Sequence, residues 1–192
     1  HQKQYAAMTT EQTQVYLVNM VDSLEMAGIN AILWQIRPSA DALYPSELEP
    51  WSRYLTGTAG QAPDPMWDPL QFMIDECHKR GIAVIVDIVI NHATGLHPWM
   101  KMWCGSDGQA AANNPFFNRV ARHPFNVFHD INHEYEGTRN YFKRVLQYWV
   151  KEYKVDGYRM DLTKGLTQKY TGNDAGKWSQ YDASRIAIIK DY

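Results

Sequence analysis

Apolar and polar positions along the chain form two patterns, which predict alternating helices and strands. Helical spacing begins after Thr9, a candidate N-cap whose capping-box partner is Gln12, and recurs in three later segments. Short apolar runs between these segments predict strands at about residues 31–37, 82–90 and 155–162. The middle run is almost continuously apolar, which is typical of a parallel strand buried on both faces. The order of elements predicts right-handed crossovers and an α/β fold with a parallel sheet.

The predicted helices carry boundary signals of their own. Gly28 is expected to stop the first helix, and Asp68 with Pro69 forms an N-cap and first-turn pair for the second. The third helix is expected at about residues 138–153, and the last begins near Asp182. Helices are therefore predicted on both sides of every strand along the sequence.

The connections between these elements differ in length. Loops that enter strands are short, whereas the loops that leave strands cover residues 38–67 and 91–137. The carboxyl ends of parallel strands carry the active site in α/β folds, so long loops on that side indicate function. Surface insertions without a function are the alternative explanation.

Composition limits the classes of protein that fit this pattern. The chain has 192 residues, of which 45% are hydrophobic and 21% charged, so it is not wholly disordered and suits one globular domain. The 19 Lys and Arg residues are balanced by 21 Asp and Glu residues, so no nucleic-acid partner is predicted. No apolar run of about 18 residues occurs, so no membrane span is predicted.

Cysteine and aromatic content add further constraints. Cys77 and Cys104 can form at most one disulfide bond and no disulfide framework. Aromatic residues make up 13% of the chain, which favours either a flat apolar ligand such as a sugar ring or an aromatic-rich core. The chain begins at His1 without a charged-then-apolar leader, which indicates a processed form or an excised piece.

The first candidate cluster lies at the end of the predicted strand 82–90. Asp87 interrupts an apolar run, and a buried carboxylate is costly unless it is paired, so we expect it to have a partner. His92 could hydrogen-bond a ligand hydroxyl, and Asn91 could offer its carbonyl oxygen to a hard cation. A structural histidine with satisfied hydrogen bonds and a turn-forming asparagine are the alternative interpretation.

The second candidate cluster lies on the predicted strand 155–162. Arg159 and Asp161 are two residues apart and therefore point to the same face. The guanidinium would lower the pKa of Asp161 and keep it ionised, as a nucleophilic carboxylate requires. A purely structural ion pair remains the alternative.

Both clusters resemble signatures of the α-amylase family, glycoside hydrolase family 13, and the resemblance extends from about residue 81 to residue 192. Asp87 to His92 (DIVINH) is similar to the first signature region, and Gly157 to Lys164 (GYRMDLTK) is similar to the second. The resemblance implies that Asp161 is the catalytic nucleophile.

The resemblance also implies roles for the neighbouring residues. Arg159 matches the residue that holds the nucleophile, and His92 matches a ligand of a sugar hydroxyl. Asp87 matches the structural aspartate of the first region, beside the substrate, and Lys164 matches a position that contacts substrate beyond the cleavage point. Asn91 matches a residue that helps to bind calcium.

Calcium is therefore the cofactor that the resemblance implies. Because Ca²⁺ takes six to eight oxygen ligands, Asn91 needs further ligands, and we nominate Asp130 from the long loop.

Residues 1 to about 80 resemble a second family, the glycosyl-hydrolase-like family 10 domain. The segments that carry this resemblance are residues 31–46, 49–57 and 62–65. The two resemblances meet at residues 77–82, where both families have a helix that ends before the third strand. The chain therefore resembles a fusion at equivalent points of two barrels, natural or constructed, or a fragment.

Both resemblances imply part of a (β/α)8 TIM barrel, with one catalytic domain over residues 1–192. The implied reaction is retaining hydrolysis of α-glucosidic bonds in starch-like glucans, with an oligo- or polysaccharide as partner. A complete barrel has eight strands and about 250 residues. We therefore expect an incomplete chain of little or no activity, whose exposed sheet edges favour self-association. A secreted or periplasmic location is expected.

Two alternatives to an amylase remain open. The first is a non-catalytic glycan-binding remnant that keeps Trp51, Trp99 and Trp103. The second is a glycan hydrolase with family 10 chemistry. A glutamate that reaches Asp161 would favour catalysis, and Glu134 and Glu136 are the candidates in this chain.

Overall fold

The computed structural model describes residues 2–37 and 41–192. The chain divides into two compact units. Unit 1 comprises the described residues up to Asp87 together with Trp149–Arg159, and unit 2 comprises Ile88–Tyr148 with Met160–Tyr192. Helices and strands alternate along the chain as the hydrophobic pattern predicts.

The regular elements are numbered in chain order. The α-helices are α1 Thr10–Met26, α2 Arg53–Thr56, α3 Pro69–Lys79, α4 Pro98–Met102, α5 Glu136–Glu152, α6 Ala175–Ser179 and α7 Ala183–Asp191. The β-strands are β1 Ala31–Leu33, β2 Ala83–Ile88, β3 His92–Ala93, β4 His129–Asp130 and β5 Gly157–Met160. Short 3₁₀ helices cover Gln2–Ala7 and Thr163–Leu166. No described helix has the length and apolar character that crossing a membrane requires.

Helix α1 begins at the predicted capping box. The Thr9 hydroxyl accepts a hydrogen bond from the Gln12 backbone N–H (3.2 Å), and the Gln12 side-chain oxygen accepts one from the Thr9 N–H (2.9 Å). These reciprocal bonds satisfy two N–H groups that the first turn would leave unpaired. The helix ends at Met26, and Gly28, just after the cap residue Ala27, has a φ of +73° that suits a residue without a Cβ.

We predict that Thr9→Ala lowers the free energy of unfolding by about 1 kcal/mol, because the cap loses the acceptor of the Gln12 N–H. The melting temperature should fall by about 2–4 °C, measured by circular dichroism. Val15→Ala, at an exposed position of the same helix, is the matched control and should change the melting temperature by less. Equal shifts in the two variants would contradict the capping role.

Helix α3 also begins as predicted, since the Asp68 side chain caps it and Pro69 occupies its first turn. Its inward face lies in the core of unit 1. The buried residues of that face are Pro69, Leu70, Met73, Ile74 and Cys77. Burial raises the pKa of the Cys77 thiol to about 11. Cys104, which belongs to unit 2, is exposed, and both cysteines are free, so the alternative of a disulfide bond is excluded.

The principal sheet has the strand order β1-β2-β5 within the described ranges. Strands β1 and β2 are parallel, with Ala31 opposite Ala83. Hydrogen bonds from Asp156 N to Val84 O (3.0 Å) and from Asp161 N to Ile88 O (2.9 Å) advance in the same direction along both segments, as in a parallel pair. This arrangement confirms the predicted α/β class.

The strands are shorter than the apolar runs that predict them. Strand β1 ends at Leu33 rather than near residue 37, and the Ile36 carbonyl oxygen accepts a hydrogen bond from Leu43 N (3.1 Å) instead of joining the sheet. An apolar run alone cannot distinguish residues that pair with a strand from residues that pack in the following loop. The loop position of Ile36 is still buried, which explains why it is apolar.

The prediction that the middle strand is buried on both faces is wrong. Val84 and Val86 of β2 are buried, whereas the alternate residues Ala83, Ile85 and Asp87 are partly or fully exposed. Successive side chains of a strand point to opposite faces, so only one face of β2 is covered by the described elements. The apolar run therefore predicts more burial than strand β2 has in the structure.

Residues 91–137, predicted as one long loop, contain regular structure in unit 2. Strands β3 and β4 pair antiparallel, with His92 opposite Asp130. A separate hydrophobic cluster lies in the same unit; its buried members are Met100, Ala110, Phe117 and Ile131. Two-residue strands have no detectable periodicity, so the sequence could not reveal them.

Candidate active site

Asp87 and Arg159, both in unit 1, form an ion pair. The Arg159 Nη1 donates to both carboxylate oxygens of Asp87, at 3.0 and 3.1 Å. The predicted partner for Asp87 therefore exists, but the expectation that Asp87 is buried is wrong, because its side chain is 47% exposed and that of Arg159 is 50% exposed. Asp87 lies on the uncovered face of β2. A pair this exposed contributes at most about 1 kcal/mol to stability, so it acts mainly to orient the two side chains.

Asp161 and His92, both in unit 2, are partly buried. Asp161 directly follows β5, and its backbone N–H donates to the Ile88 carbonyl (2.9 Å). Burial lowers the pKa of His92, while the charges of Asp161 and Asp130 oppose that shift. The charge of the Asp161 carboxylate therefore affects the pKa of His92, and the imidazole is neutral at pH 7. Asp161 and His92 thus belong to the same unit, whereas Arg159 belongs to the other.

The backbone turns sharply immediately after Asp161. Leu162 has a φ of +48°, a left-handed conformation that is strained for a leucine, and the 3₁₀ helix Thr163–Leu166 follows at once. The strand therefore ends at the candidate nucleophile. Strain of this kind costs about 1–2 kcal/mol and is common at functional sites.

Lys164 is exposed and is held by α6. Its Nζ donates to the Ser179 hydroxyl (3.2 Å) and lies 5.2 Å from the centre of the Trp178 ring. The Trp178 indole N–H in turn donates to the Lys164 carbonyl oxygen (2.9 Å). The substrate contact predicted for Lys164 stays a prediction, and the cation–π contact shows how the side chain is positioned.

Asn91 and Asp130 are buried, and each has atoms without a hydrogen-bond partner. Neither the oxygen nor the nitrogen of the Asn91 amide is paired, and Asp130 Oδ1 also lacks a hydrogen bond within the described part of the chain. Asp130 Oδ2 accepts from the Asn118 amide (3.0 Å) and from the Arg122 backbone N–H (3.1 Å). Asn91 packs so closely on Gly165 that a Cβ there would lie 2.6 Å from its amide nitrogen.

His123 is a buried residue of this region that sequence analysis missed. Its Nδ1 lies 2.8 Å from the Pro124 carbonyl oxygen and its Nε2 lies 3.0 Å from the Gly165 carbonyl oxygen. Nε2 is also 3.6 Å from Asp130 Oδ1, within ion-pair distance, and both side chains are fully buried. The sequence carries no signal for this arrangement, because Gly165 is 42 residues away along the chain.

Exposed aromatic rings lie on the segment between His123 and Asp130. Phe125 and Phe128 have φ values of +59° and +56°, which are unusual for aromatic residues, and Phe128 is 64% exposed. The Phe128 ring centre lies 6.1 Å from that of His92. The backbone is thus strained where it holds an apolar ring in solvent beside a candidate site residue.

The tryptophans nominated as glycan contacts are placed differently. Trp99 stacks on Phe116 with ring centres 3.9 Å apart, and Trp103 contacts the same ring at 5.7 Å. Both therefore contribute to aromatic packing in unit 2. Trp51, in unit 1, is partly buried, and its backbone forms an isolated parallel β-bridge with that of Ala42.

Comparison with known proteins assigns the chain to a family. The sequence model described as glycosyl hydrolase-like 10 matches residues 3–187. The chain belongs to the glycosyl hydrolase-like 10 family. The match begins in the segment where the sequence predicted this resemblance and runs across residue 81 through the second part of the chain.

One curated relative of this glycosyl hydrolase-like 10 chain is the glycosyl hydrolase YngK of Bacillus subtilis. The two are 32% identical over 191 residues, which cover 95% of this chain and 34% of YngK. The chain therefore spans about a third of the length of that relative.

Solved structures of amylases share the fold of the chain. Amy13B of Eubacterium rectale aligns with a TM-score of 0.54 and 22% identity, over 91% of this chain and 36% of its own. The maltogenic alpha-amylase AmyB of Thermotoga neapolitana aligns with a TM-score of 0.50 and 21% identity, over 82% and 37%. At this identity the likeness shows the fold alone, which is part of a TIM barrel. Both predicted resemblances, to the glycosyl hydrolase-like 10 family and to amylases, are thus confirmed.

The calcium ion that the amylase resemblance implies stays a prediction, although Asn91 and Asp130 each have a buried side-chain oxygen without a hydrogen-bond partner in the described chain. Calcium requires six to eight oxygen ligands. No group of three or more His, Cys, Asp or Glu side chains suited to a metal occurs in residues 2–37 and 41–192. Asp130 Oδ2 already accepts two hydrogen bonds, and its other oxygen faces the His123 ring.

Proposed function

We propose that the protein is a glycoside hydrolase that cleaves α-glucosidic bonds of starch-like glucans and retains the anomeric configuration. The observation that carries the proposal is a neutral His92 whose pKa responds to the charge of Asp161, the residue that follows β5. Membership of the glycosyl hydrolase-like 10 family supports the reaction class. The amylase fold supports the choice of α-linked glucans as substrate.

Asp161 is suited to the nucleophilic step. Its carboxylate attacks the anomeric carbon and forms a covalent glycosyl-enzyme intermediate, which water then hydrolyses. The bond to the leaving oxygen breaks as the bond to Asp161 forms. Arg159 is paired with Asp87, so the role in holding the nucleophile that the amylase resemblance implies for it stays a prediction.

His92 is suited to hold a sugar hydroxyl. A neutral imidazole has one N–H donor and one acceptor nitrogen, and both can engage a hydroxyl group. Its Nδ1 is buried without a hydrogen-bond partner in the described structure. Burial keeps the ring neutral, so one of its nitrogens stays available as an acceptor.

A retaining mechanism also needs a second carboxyl group about 5–5.5 Å from the nucleophile. Glu134 and Glu136, the candidates named from the sequence, are both exposed at the beginning of α5. The general acid is the glutamate that reaches the leaving oxygen once substrate is bound. Glu134→Gln and Glu136→Gln test the two candidates of this chain separately.

Phe128 supports a carbohydrate substrate. Sugar rings present an apolar face that stacks on aromatic side chains, and Phe128 offers an exposed ring 6.1 Å from His92. Its backbone is left-handed, with a φ of +56°. The Phe128 ring is therefore placed to contact a sugar that His92 binds.

The edge of the described sheet supports self-association as a further part of the proposal. Strand β1 is at one edge, and its Leu33 side chain is largely exposed. Unpaired backbone groups at a sheet edge can bind a second strand. Light scattering coupled to size-exclusion chromatography measures whether the protein forms dimers through this edge.

The reaction is tested by following purified protein with soluble starch, pullulan and a cyclodextrin by proton NMR. We expect the first product to carry the α-anomeric configuration. Asp75→Asn, an exposed carboxylate change on α3, is the control that should leave activity unchanged. Hydrolysis of a β-linked glycan but of none of these substrates would favour the second candidate, a glycan hydrolase with family 10 chemistry, which the family match over residues 3–187 also allows.

A further inference from the structure

A cavity in unit 1 lies between the start of α1 and the segment that follows α2. Its volume is about 160 Å³, and two of the residues that line it, Gln61 and Asp64, are exposed to solvent. A protein cavity of about 150 Å³ can hold a benzene molecule, so this one has room for a six-membered ring. Residues 55–56 and 62–64 of the lining belong to the segments that carry the family 10 resemblance, and the proposed reaction gives them no role.

Three threonines at the start of α1 line the cavity, and hydrogen bonds hold their hydroxyl groups in place. The Thr9 hydroxyl accepts from the Gln12 backbone N–H (3.2 Å), and the Thr13 hydroxyl donates to the Thr9 carbonyl oxygen (3.0 Å). The Thr10 hydroxyl donates to the Pro65 carbonyl oxygen (3.3 Å). A hydroxyl group has one donor and two acceptor sites, so each keeps capacity for a further hydrogen bond. Hydroxyl groups fixed in this way suit a ligand that itself carries several hydroxyl groups.

Trp67 and Leu55 supply an apolar part of the lining. The Trp67 ring is fixed by an edge contact with Phe72, with ring centres 5.5 Å apart. The buried indole N–H of Trp67 has no acceptor among the described residues, although buried donors are usually paired. A sugar residue combines an apolar ring face with oxygens that accept hydrogen bonds, so it matches the chemistry of Trp67.

Charge narrows the class of ligand further. Asp64 is the only charged residue among the described residues of the lining, and its carboxylate makes no hydrogen bond or ion pair with the described chain. A carboxylate repels phosphates and other anions, whereas it accepts strong hydrogen bonds from neutral hydroxyl groups. Trp67 is the only aromatic residue of the described lining, so the aromatic cage that recognises quaternary ammonium ions is not formed there. A neutral, hydroxylated ring is the ligand that remains.

We infer that this cavity of unit 1 binds one neutral pyranose ring of a carbohydrate. Trp67 contacts an apolar face of the ring, Asp64 accepts a hydrogen bond from a ring hydroxyl, and the threonines of α1 bind further hydroxyl groups. Binding here requires no hydrolysis and involves none of the residues of the proposed reaction. The protein therefore has a carbohydrate-binding function in unit 1 in addition to that reaction.

The first test is a titration of the unmodified protein with methyl α-D-glucopyranoside, followed by the indole N–H signals in a ¹⁵N–¹H NMR spectrum. We expect the signal of Trp67, which is identified by its loss in Trp67→Phe, to shift with a Kd of about 1 mM, the affinity typical of a ligand of about 13 non-hydrogen atoms. No shift at about 20 times that concentration would overturn the inference. A shift with sodium phosphate or tetramethylammonium chloride but not with the sugar would also overturn it.

The second test places the sugar beside Asp64. Asp64→Asn removes a charged acceptor at an exposed position, so we expect the Kd to rise by at least about fivefold without loss of folding. Asp75→Asn, an exposed carboxylate change on α3 outside the lining, is the matched control and should leave the Kd unchanged. Equal Kd values for Asp64→Asn and the unmodified protein would contradict the site. This pair of variants decides the question even if Trp67→Phe does not fold.

His92→Ala separates the cavity from the proposed reaction site in unit 2. We expect this variant to keep the shift of the Trp67 signal and its Kd. Sugar binding that is lost in His92→Ala and leaves the Trp67 signal unmoved in the unmodified protein would overturn the inference. A Trp67 shift in a protein that hydrolyses no α-glucan would instead support the cavity and count against the proposed reaction alone.

Discussion

Asp161→Asn is expected to lower the rate of α-glucan hydrolysis by at least about 10³-fold in a protein that spans the length of its relatives. This chain spans about a third of YngK and is expected to have little activity of its own. An amide in place of the carboxylate cannot form the glycosyl-enzyme intermediate on which the retaining mechanism depends. The substitution changes little in shape, and the strand hydrogen bond of this residue comes from its backbone N–H, which asparagine retains. The folded structure should therefore survive.

The measurement is the release of reducing sugar from soluble starch by equal amounts of folded protein. Asp75→Asn again serves as the control, because its position on α3 is exposed and lies in unit 1, whereas Asp161 lies in unit 2. Activity in Asp161→Asn within about tenfold of the unmodified protein would show that another group is the nucleophile. A loss of activity together with a lowered melting temperature would be attributed to folding.

Mild acid is expected to destabilise the protein through His133. Burial lowers the pKa of His133 to about 4, against about 6.5 in the unfolded chain. The unfolded state therefore binds a proton more readily than the folded state between these values. The stability that His133 contributes is fully present above about pH 6.5 and is lost as the pH falls towards 4, by about 2 kcal/mol between pH 7 and pH 5.

Urea unfolding at pH 7 and pH 5 measures this loss, and His133→Gln is the variant that should flatten it. Glutamine can still donate to the Ile90 carbonyl oxygen but takes up no proton in this range. The raised pKa of His123 affects stability above about pH 6.5, whereas the lowered pKa values of His92 and His97 add a loss in the same acid window as His133. An equally steep acid loss in His133→Gln would assign the effect to His92, His97 or the carboxyl groups instead.

Local signals in the sequence predicted much of the fold. Thr9 with Gln12 and Asp68 with Pro69 mark helix starts, since caps are made by residues within three positions of each other. Strand ends were predicted less well. Ile36 is apolar because it is buried in a loop, and hydrophobicity does not reveal whether a residue's backbone joins a sheet.

The candidate site was predictable only in part. Asp161 and His92 follow from the two signature regions, which are continuous in sequence. His123 does not, because only the folded chain brings it to the Gly165 carbonyl oxygen and the Asp130 carboxylate. The exposure of Asp87 was not predicted either, because the sequence of β2 does not show whether another element packs on the second face of the strand.

The two free cysteines provide a chemical probe for each unit. Maleimides react with accessible thiolates, so Cys104 on unit 2 offers an exposed attachment point for a dye, whereas the Cys77 thiol is buried in α3 and its raised pKa keeps it protonated. Labelling of Cys77 requires that unit 1 opens. The fraction of doubly labelled protein after a short exposure to the reagent therefore measures the fraction of molecules in which unit 1 has unfolded. No cysteine has to be introduced for this measurement.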